Sequence, residues 1–328
     1  MVWPAGAARA ARRIAAAAAL GGGGLTALGA TAYALLIAES LLARRTIGTP
    51  HGLEGPPSDG VYGDFPGPPI RMAMLGDSTS VGLGMTEAGK TPGVLIACGL
   101  AAVAERPVEL RVVGKSGAPS AELDEQVDAV LPWPPDVAVI FVGANDVITR
   151  TPPATAVRHL VKAVRRLRGA GAEVVVGTCP DLGTVRPIAQ PLRWVARRWS
   201  RQIAAAQTVG VVEAGGRTVA FAGLLGQEFH ANPGEMFGPD RFHPSDQGYA
   251  QAAYAVLPSV CAVLGLWPEP RPEPGEGLQP IYLAAATAAE EPGTEVSATR
   301  VDGRTTGTHG RWATLFRRRR LGGQLNDA

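Results

Sequence analysis

Short apolar segments rich in β-branched residues alternate with longer helical patterns through the middle of the chain, and this alternation restricts the possible folds most strongly. It is typical of βαβ units, in which parallel strands form a sheet covered by helices on both faces. Loops that carry function then lie at the carboxyl ends of the strands. Strands are predicted at 70–75, 108–113, 136–142, 173–178 and 209–213, and helices at 87–104, 120–131, 153–169, 186–207 and 246–257.

Charge and cysteine content exclude several classes of protein. The chain has 31 Lys and Arg against 29 Asp and Glu, a net charge of +2, so it lacks the general basic excess of a nucleic-acid-binding protein. Its three cysteines, Cys98, Cys179 and Cys261, are far apart and form no CxxC motif. Neither a disulfide framework nor a structural zinc site is therefore predicted.

An uncharged segment at residues 14–38 follows three arginines near the N-terminus. As a helix it would span roughly 37 Å, enough to cross a hydrocarbon core of about 30 Å. We predict that residues 1–45 form a membrane anchor, with the main body outside the cytoplasm. A cleaved signal peptide, which would make the protein secreted, and a helix buried in the domain are the alternatives.

Proline and glycine mark the borders of the folded part of the chain. Residues 46–69 are predicted to be a Pro/Gly-rich linker, because this stretch has neither helical nor strand periodicity. A second proline-rich stretch begins at residue 268. We therefore predict one folded domain over 70–267 and a disordered tail over 268–328, rich in Pro and Glu and then basic.

Gly76-Asp77-Ser78-Thr79-Ser80 follows the first predicted strand. A serine at a strand-to-helix turn exposes its hydroxyl near the start of a helix, which suits a nucleophile. The GxSxG nucleophile elbow is absent, since residue 80 is serine. An N-cap serine and a phosphate-binding turn are alternative interpretations of Ser78.

Hydrogen-bond donors follow the next two predicted strands. Gly117 follows the second strand, where a glycine lets the backbone approach a ligand closely, and Asn145 follows the third. Together with the backbone N–H of Ser78, these donors would meet the requirement for an oxyanion hole. Each motif is, alternatively, a plain turn.

Asp240-Arg241-Phe242-His243-Pro244 precedes the last predicted helix. A carboxylate three residues before a histidine can reach the imidazole ring in a turn, fix its tautomer and stabilise its protonated form. A metal site and a structural histidine near a helix start are the alternatives for His243.

These motifs occur in the order used by the SGNH/GDSL hydrolase superfamily, which the chain resembles over about residues 70–265. The residues around Ser78 and His243 look like those of the actinobacterial membrane-anchored or secreted esterases of this superfamily. The resemblance implies a three-layer α/β/α sandwich with a five-stranded parallel sheet, and ester or thioester hydrolysis without metal or organic cofactor. It matches Ser78 to the nucleophile, Gly117 and Asn145 to further oxyanion donors, His243 to the base and Asp240 to its orienting acid. In many relatives an Asn precedes the glycine at position 117, but here the stretch reads Val113-Gly114-Lys115-Ser116-Gly117.

The expected activity is therefore that of a serine esterase acting on a small-molecule or lipid acyl ester through an acyl-enzyme. A cell-envelope carbohydrate acetylesterase or acyltransferase on the same fold, and a non-catalytic membrane-attached binding module, are the alternatives. Leu182, Met236 and Phe237 are predicted to border the site and to suit an acyl chain, with ordinary loop packing as the other interpretation.

Overall fold

The computed structural model describes residues 31, 33–42, 45, 54–221, 229–267, 277–291, 294–301, 303–307 and 310–317. The strands in these residues are β1 (Gly60–Tyr62), β2 (Ile70–Gly76), β3 (Val108–Val112), β4 (Val137–Phe141), β5 (Glu173–Gly177), β6 (Arg217–Val219), β7 (Leu278–Pro280), β8 (Thr294–Ala298), β9 (Thr306–Gly307) and β10 (Gly310–Arg317). The helices are α1 (Ser78–Val81), α2 (Pro92–Ala104), α3 (Leu123–Val130), α4 (Ala144–Ile148), α5 (Pro153–Gly169), α6 (Leu192–Glu213), α7 (Pro233–Met236), α8 (Asp246–Val263) and α9 (Ile281–Glu290).

Five parallel strands form the centre of the sheet, in the order β3-β2-β4-β5-β6. The predicted α/β fold with a five-stranded parallel sheet is confirmed. Antiparallel strands extend both edges: β1 pairs with β3, and β8, β10 and β7 continue the sheet beyond β6. The carboxyl ends of β3, β2 and β4 are therefore neighbours, which brings the loops after these three strands together.

Alternating side chains of the central strands pack into separate cores on the two faces of the sheet. Along β2, Met72 and Met74 belong to the cluster that contains the buried residues of α2 and α8. Ala73 and Leu75, between and after them, belong to the cluster with α3 and α5. Because successive side chains of a strand point to opposite faces, this division produces the three-layer α/β/α sandwich.

The strand predicted at 209–213 is instead the last turn of α6, and the corresponding strand is β6. Val211 and Val212 are buried and continue the helical spacing of Ala204 and Thr208, so packing of the helix overrides the preference of valine for strands. The chain turns at Gly215, whose φ is +86°, before β6 begins.

Both predicted flanking segments contain regular structure in their described parts. Within the predicted linker, β1 pairs with β3 and Ser58 is buried. The prediction of a disordered tail over 268–328 is wrong for residues 277–317 where the structure describes them, because they form α9 and four strands. The physical reason lies in the alanine-rich helix α9, whose buried face packs with Val212 of α6 and Val296 of β8. Runs of alanine resemble low-complexity sequence, but alanine also has the highest helix propensity.

A buried ion pair fastens this C-terminal extension to the parallel sheet. The guanidinium of Arg217 in β6 contacts the carboxylate of Glu295 in β8, and both side chains are buried. Glu295 Oε2 also accepts a hydrogen bond of 2.7 Å from the hydroxyl of Ser259 in α8. Three elements from distant parts of the sequence therefore meet at one carboxylate.

The predicted membrane span at 14–38 lies mostly outside the described residues, so membrane attachment stays a prediction. The described segment 33–42 is helical, and Glu39 in it accepts a 2.8 Å hydrogen bond from the backbone N–H of Leu192, the first residue of α6. Among the helices that the structure describes, none has the length and apolar character to span a bilayer.

We predict that Glu295→Gln lowers the free energy of unfolding by about 3–5 kcal/mol, because it removes one of the two charges of the buried Arg217–Glu295 ion pair. Chemical denaturation of the full chain measures this loss. The matched control is Glu87→Gln, which breaks the exposed pair with Lys90 and is expected to cost about 0–1 kcal/mol. Equal losses in the two variants would contradict the structural role of the buried pair.

Candidate active site

The turn after β2 that presents Ser78 requires a glycine at position 76. Gly76 has a φ of +125°, and a Cβ at this position would lie 1.8 Å from the carbonyl oxygen of Phe141 in β4. No side chain fits in this space, and such a φ is strained for other residues. The close approach lets the backbone N–H of Asp77 donate to that same carbonyl at 2.9 Å, so the end of β2 is held against the end of β4.

Gln126, on the buried face of α3, binds the backbone of Gly76 through both ends of its amide. Its Oε1 accepts from the Gly76 N–H at 2.7 Å, and its Nε2 donates to the Gly76 carbonyl at 2.9 Å. Gln126 therefore satisfies the polar groups of a buried residue whose conformation departs from the strand, and it fixes the residue two positions before Ser78.

Ser78 and His243 lie within hydrogen-bond distance although 165 positions separate them in the chain. Ser78 is the first residue of α1, and Asp77 caps this helix by accepting from the Thr79 N–H at 2.9 Å. The distance from Ser78 Oγ to His243 Nε2 is 3.1 Å. The structure thus brings the predicted nucleophile and the predicted base together.

Asp240 holds the other side of the His243 ring. Its Oδ2 lies 2.6 Å from Nδ1 of His243, while its Oδ1 accepts from the backbone N–H groups of Phe242 and His243, at 3.0 Å each. Burial raises the pKa of Asp240, but the hydrogen bonds from the His243 ring and the backbone outweigh it and hold this pKa below its ordinary value. Because both ring nitrogens of His243 face protein groups, this geometry matches a triad better than a metal ligand.

The loop that carries Asp240 and His243 is fixed at both ends. Phe237 and Pro244 form an antiparallel bridge, and the Gly238 N–H donates to the carbonyl of His243 at 2.8 Å. Ser245 caps α8 by accepting from the Gly248 N–H. The histidine is therefore held between a closed loop and the start of an 18-residue helix.

The two other predicted oxyanion donors occupy the expected strand ends. Gly117 lies in the loop after β3 with a φ of +80°, and Asn145 is the second residue of α4, directly after β4. Since β3 and β4 flank β2 in the sheet, both residues lie at the strand ends beside Ser78. Their role as donors stays a prediction.

Two buried carboxylates lie beneath the site. Burial raises the pKa of Asp77 to about 6, although hydrogen bonds from Thr79 oppose this shift. Burial likewise raises the pKa of Asp146, whose Oδ2 accepts from the Ser120 hydroxyl at 2.6 Å. Asp146 thereby ties the loop after β3 to α4, which positions Gly117 and Asn145 relative to each other.

An apolar cleft begins at Ser78 and His243 and runs over the ends of β4, β5 and β6. Leu182 and Phe237, two of the predicted substrate residues, line it. Met236 does not: it is buried in the adjacent cluster with Phe229 and Phe237, because the single turn of α7 directs it into the core. The substrate-binding prediction for Met236 therefore differs from the structure.

Two buried glutamine side chains that hold the strand ends together were not predicted from the sequence. Besides Gln126, Gln207 of α6 donates to the Val142 carbonyl at 3.0 Å and accepts from the Cys179 N–H at 2.7 Å, which joins the ends of β4 and β5. Gln126 stands in an otherwise apolar buried stripe of α3, among Leu123, Val127 and Val130, and Gln207 is buried in α6. A polar residue within such a stripe is the signal that could have identified Gln126.

Comparison with known proteins gives one family. Residues 74–251 match the model of the GDSL-like lipase/acylhydrolase family. The GDSL-like esterase Rv1075c of Mycobacterium tuberculosis is 42% identical over 248 residues, which covers 70% of this chain and 78% of that protein. The matched residues include Ser78, Asp240 and His243.

Solved structures of similar architecture include TesA, with a TM-score of 0.48 and 21% identity, covering 59% of this chain and 99% of that one. A psychrotrophic esterase EstA from Pseudoalteromonas is similar with a TM-score of 0.47 and 16% identity, covering 60% and 99% of the two chains. In both cases almost the whole of the solved chain is covered.

We predict that Gln126→Leu lowers the free energy of unfolding by about 1–3 kcal/mol, because the buried N–H of Gly76 loses its bond to Gln126 and the Gly76 carbonyl keeps only the Lys115 N–H. Urea denaturation measures the change. Gln202→Leu, the same substitution at an exposed position of α6, is the control and should change stability by no more than about 0.5 kcal/mol. A Gln126→Leu variant as stable as this control would show that the amide does not hold the turn.

A pH-dependent effect is expected from Asp77→Asn. The native pKa of Asp77 lies above its ordinary value, so its ionisation costs stability as pH rises from about 4 through 6. Asparagine cannot ionise, yet its Oδ1 can still accept from Thr79. The variant should therefore melt at a higher temperature than the parent at pH 8, with the difference vanishing near pH 4.

The control for this pH dependence is Asp124→Asn. Hydrogen bonds from Lys162 and Arg166 lower the pKa of Asp124, so its loss should destabilise the protein at pH 8, the opposite sign. A Tm difference between the Asp77→Asn variant and the parent that does not change from pH 4 to pH 8 would contradict the effect of burial on Asp77.

Proposed function

The chain belongs to the GDSL-like lipase/acylhydrolase family and is a carboxylic ester hydrolase, and from this we propose that it cleaves esters through a Ser78-His243-Asp240 triad and an acyl-enzyme. The observation that supports this proposal most directly is the continuous chain of contacts from Ser78 Oγ to His243 Nε2 and from His243 Nδ1 to Asp240 Oδ2. These are the two hydrogen bonds that a serine nucleophile and its base require.

In the first half of the reaction, Ser78 Oγ attacks the acyl carbonyl carbon while His243 Nε2 takes the hydroxyl proton. The carbonyl π electrons move onto oxygen to give a tetrahedral oxyanion. When this intermediate collapses, the bond to the leaving alcohol breaks, and the protonated His243 gives its proton to the departing oxygen. The acyl group is then an ester of Ser78.

Water completes the cycle by the same steps. His243 removes a proton from the water as its oxygen attacks the acyl-enzyme, and it returns this proton to Ser78 Oγ as the new tetrahedral intermediate collapses. The carboxylic acid leaves, and the serine is regenerated. Atoms and charge balance without any other co-reactant.

Asp240 supports both proton transfers. Its lowered pKa keeps it ionised at neutral pH, so the carboxylate stabilises the imidazolium that forms in each half-reaction. Its contact with Nδ1 also keeps the Nε2 lone pair directed at Ser78, because a neutral imidazole that donates from Nδ1 accepts at Nε2.

The developing oxyanion would be held by the backbone N–H groups of Ser78 and Gly117 and by the side-chain amide of Asn145. The support for this assignment is their position: all three lie at neighbouring strand ends, and the Ser78 N–H lies at the start of α1. Removal of one such donor is expected to cost on the order of 10²–10³-fold in rate.

Ser78→Ala in the full chain should abolish labelling by a fluorophosphonate and lower p-nitrophenyl acetate hydrolysis by on the order of 10⁴-fold or more. Asp240→Asn should slow hydrolysis by a comparable factor, because the wrong tautomer of His243 is then favoured; its slower labelling should still occur on Ser78. After an acid quench, mass spectrometry of the parent should find the acyl group on Ser78.

The matched control is Ser80→Ala, two residues away, whose hydroxyl donates to the Asp77 carbonyl at 2.7 Å. This variant should retain labelling of Ser78. Hydrolysis by Ser78→Ala at the parent rate would refute the triad, as would an acyl adduct on another residue.

A further inference from the structure

The cleft at Ser78 ends in a small apolar space closed by aromatic rings. The cavity volume of the cleft is only about 50 Å³. Phe141 and Phe221 meet edge to face there with their ring centres 4.7 Å apart, and Phe229 and Phe237 do the same at 4.6 Å. All four side chains are buried.

These rings have little room to withdraw. A Cβ on Gly177, at the end of β5, would lie 2.5 Å from the ring of Phe221, so this ring already fills the space beside the sheet. A Cβ on Gly248 in α8 would lie 2.9 Å from the ring of Phe229. Interiors packed this closely do not yield space without loss of stability.

The volume limits the number of carbon atoms that the space can hold. An apolar cavity of about 150 Å³ accommodates benzene, with six carbon atoms, so about 50 Å³ corresponds to about two. The carbonyl carbon itself must remain at Ser78 and does not enter. An acyl group of two to four carbons in total therefore matches the volume of the cleft. An octanoyl chain has to displace at least one of the rings.

We infer that the enzyme is selective for esters of short acyl groups, from acetyl to butyryl, and that Phe229 determines the upper limit of chain length. The inference rests on the proposed function, since it assumes that the acyl carbonyl binds at Ser78. We place the acyl chain along the aromatic walls because the lining of the cleft is apolar there.

Hydrolysis of p-nitrophenyl acetate, butyrate, octanoate and palmitate by the full chain tests this selectivity. The leaving group is constant in this series, so kcat/KM reports the acyl group only. We expect kcat/KM to be highest for acetate or butyrate and about ten-fold or more lower for octanoate. Ser78→Ala is measured beside the parent to show that each rate depends on the triad.

Phe229→Ala should raise the ratio of octanoate to butyrate kcat/KM by about ten-fold, since it removes one of the four rings that bound the cleft. Phe229→Leu, a smaller change, should raise the ratio in the same direction and serves if the alanine variant unfolds. Leu167→Ala is the matched control: Leu167 is buried in the core cluster with α3 and α5 and does not line the cleft, so its truncation lowers stability without lengthening the cleft. Thermal melting shows which variants are folded.

The outcomes separate the two proposals. Equal kcat/KM for butyrate and octanoate in the parent, both dependent on Ser78, would overturn the short-acyl assignment and leave the triad intact. An unchanged chain-length ratio in both folded Phe229 variants would overturn the role of Phe229. If Ser78→Ala hydrolyses the esters at the parent rate, the triad fails, and the short-acyl inference fails with it.

Discussion

The close approach of β2 to β4 at Gly76 is the constraint on which the rest of the site depends. Only glycine fits at this position, because a Cβ would lie 1.8 Å from the carbonyl oxygen of Phe141. The chain leaves the sheet directly after it, and α1 starts at Ser78. Such a turn exposes backbone polar groups in the interior, and Gln126 satisfies them. Ser78 is thus positioned by one glycine and one distant amide.

Polar contacts between strand ends repeat this principle across the site. Gln207 joins the ends of β4 and β5, and Asp146 joins α4 to the loop after β3 through Ser120. Each contact replaces the water that would otherwise solvate loop backbone at the edge of a parallel sheet. The cost appears in the raised pKa values of Asp77 and Asp146, whose charged forms are poorly solvated. Ionised carboxylates at these buried positions lower the free energy of unfolding relative to apolar side chains. Their hydrogen bonds, in turn, fix the loops at the strand ends.

The parts of the protein that could be predicted are those determined by residues close together in the sequence. Strand-end motifs and the i, i+3 spacing of Asp240 and His243 identified the residues that the structure brings together, since a parallel sheet places all its loops at one edge. Signals that depend on tertiary contacts were missed. The valines at the end of α6 favour a strand locally and form a helix because they pack. Gln126 is a polar residue in an apolar helix stripe, but its partner Gly76 lies 50 positions away and no local pattern identifies it. The ion pair of Arg217 with Glu295 joins residues that no short-range pattern connects.

The C-terminal extension also supports the aromatic wall of the cleft. β6 has only three residues and would form an exposed edge of the parallel sheet, but β8 pairs with it, and the Ala220 N–H donates to the Thr294 carbonyl at 3.0 Å. The next residue is Phe221, whose N–H donates to the Thr178 hydroxyl and whose ring packs against Phe141 in the cleft. Because Phe221 is held from one side by β5 and from the other by a strand added after the parallel sheet is complete, the rigidity of the aromatic wall depends on that extension. The segment that composition alone would assign to a tail is thus part of what holds the aromatic wall of the cleft in place.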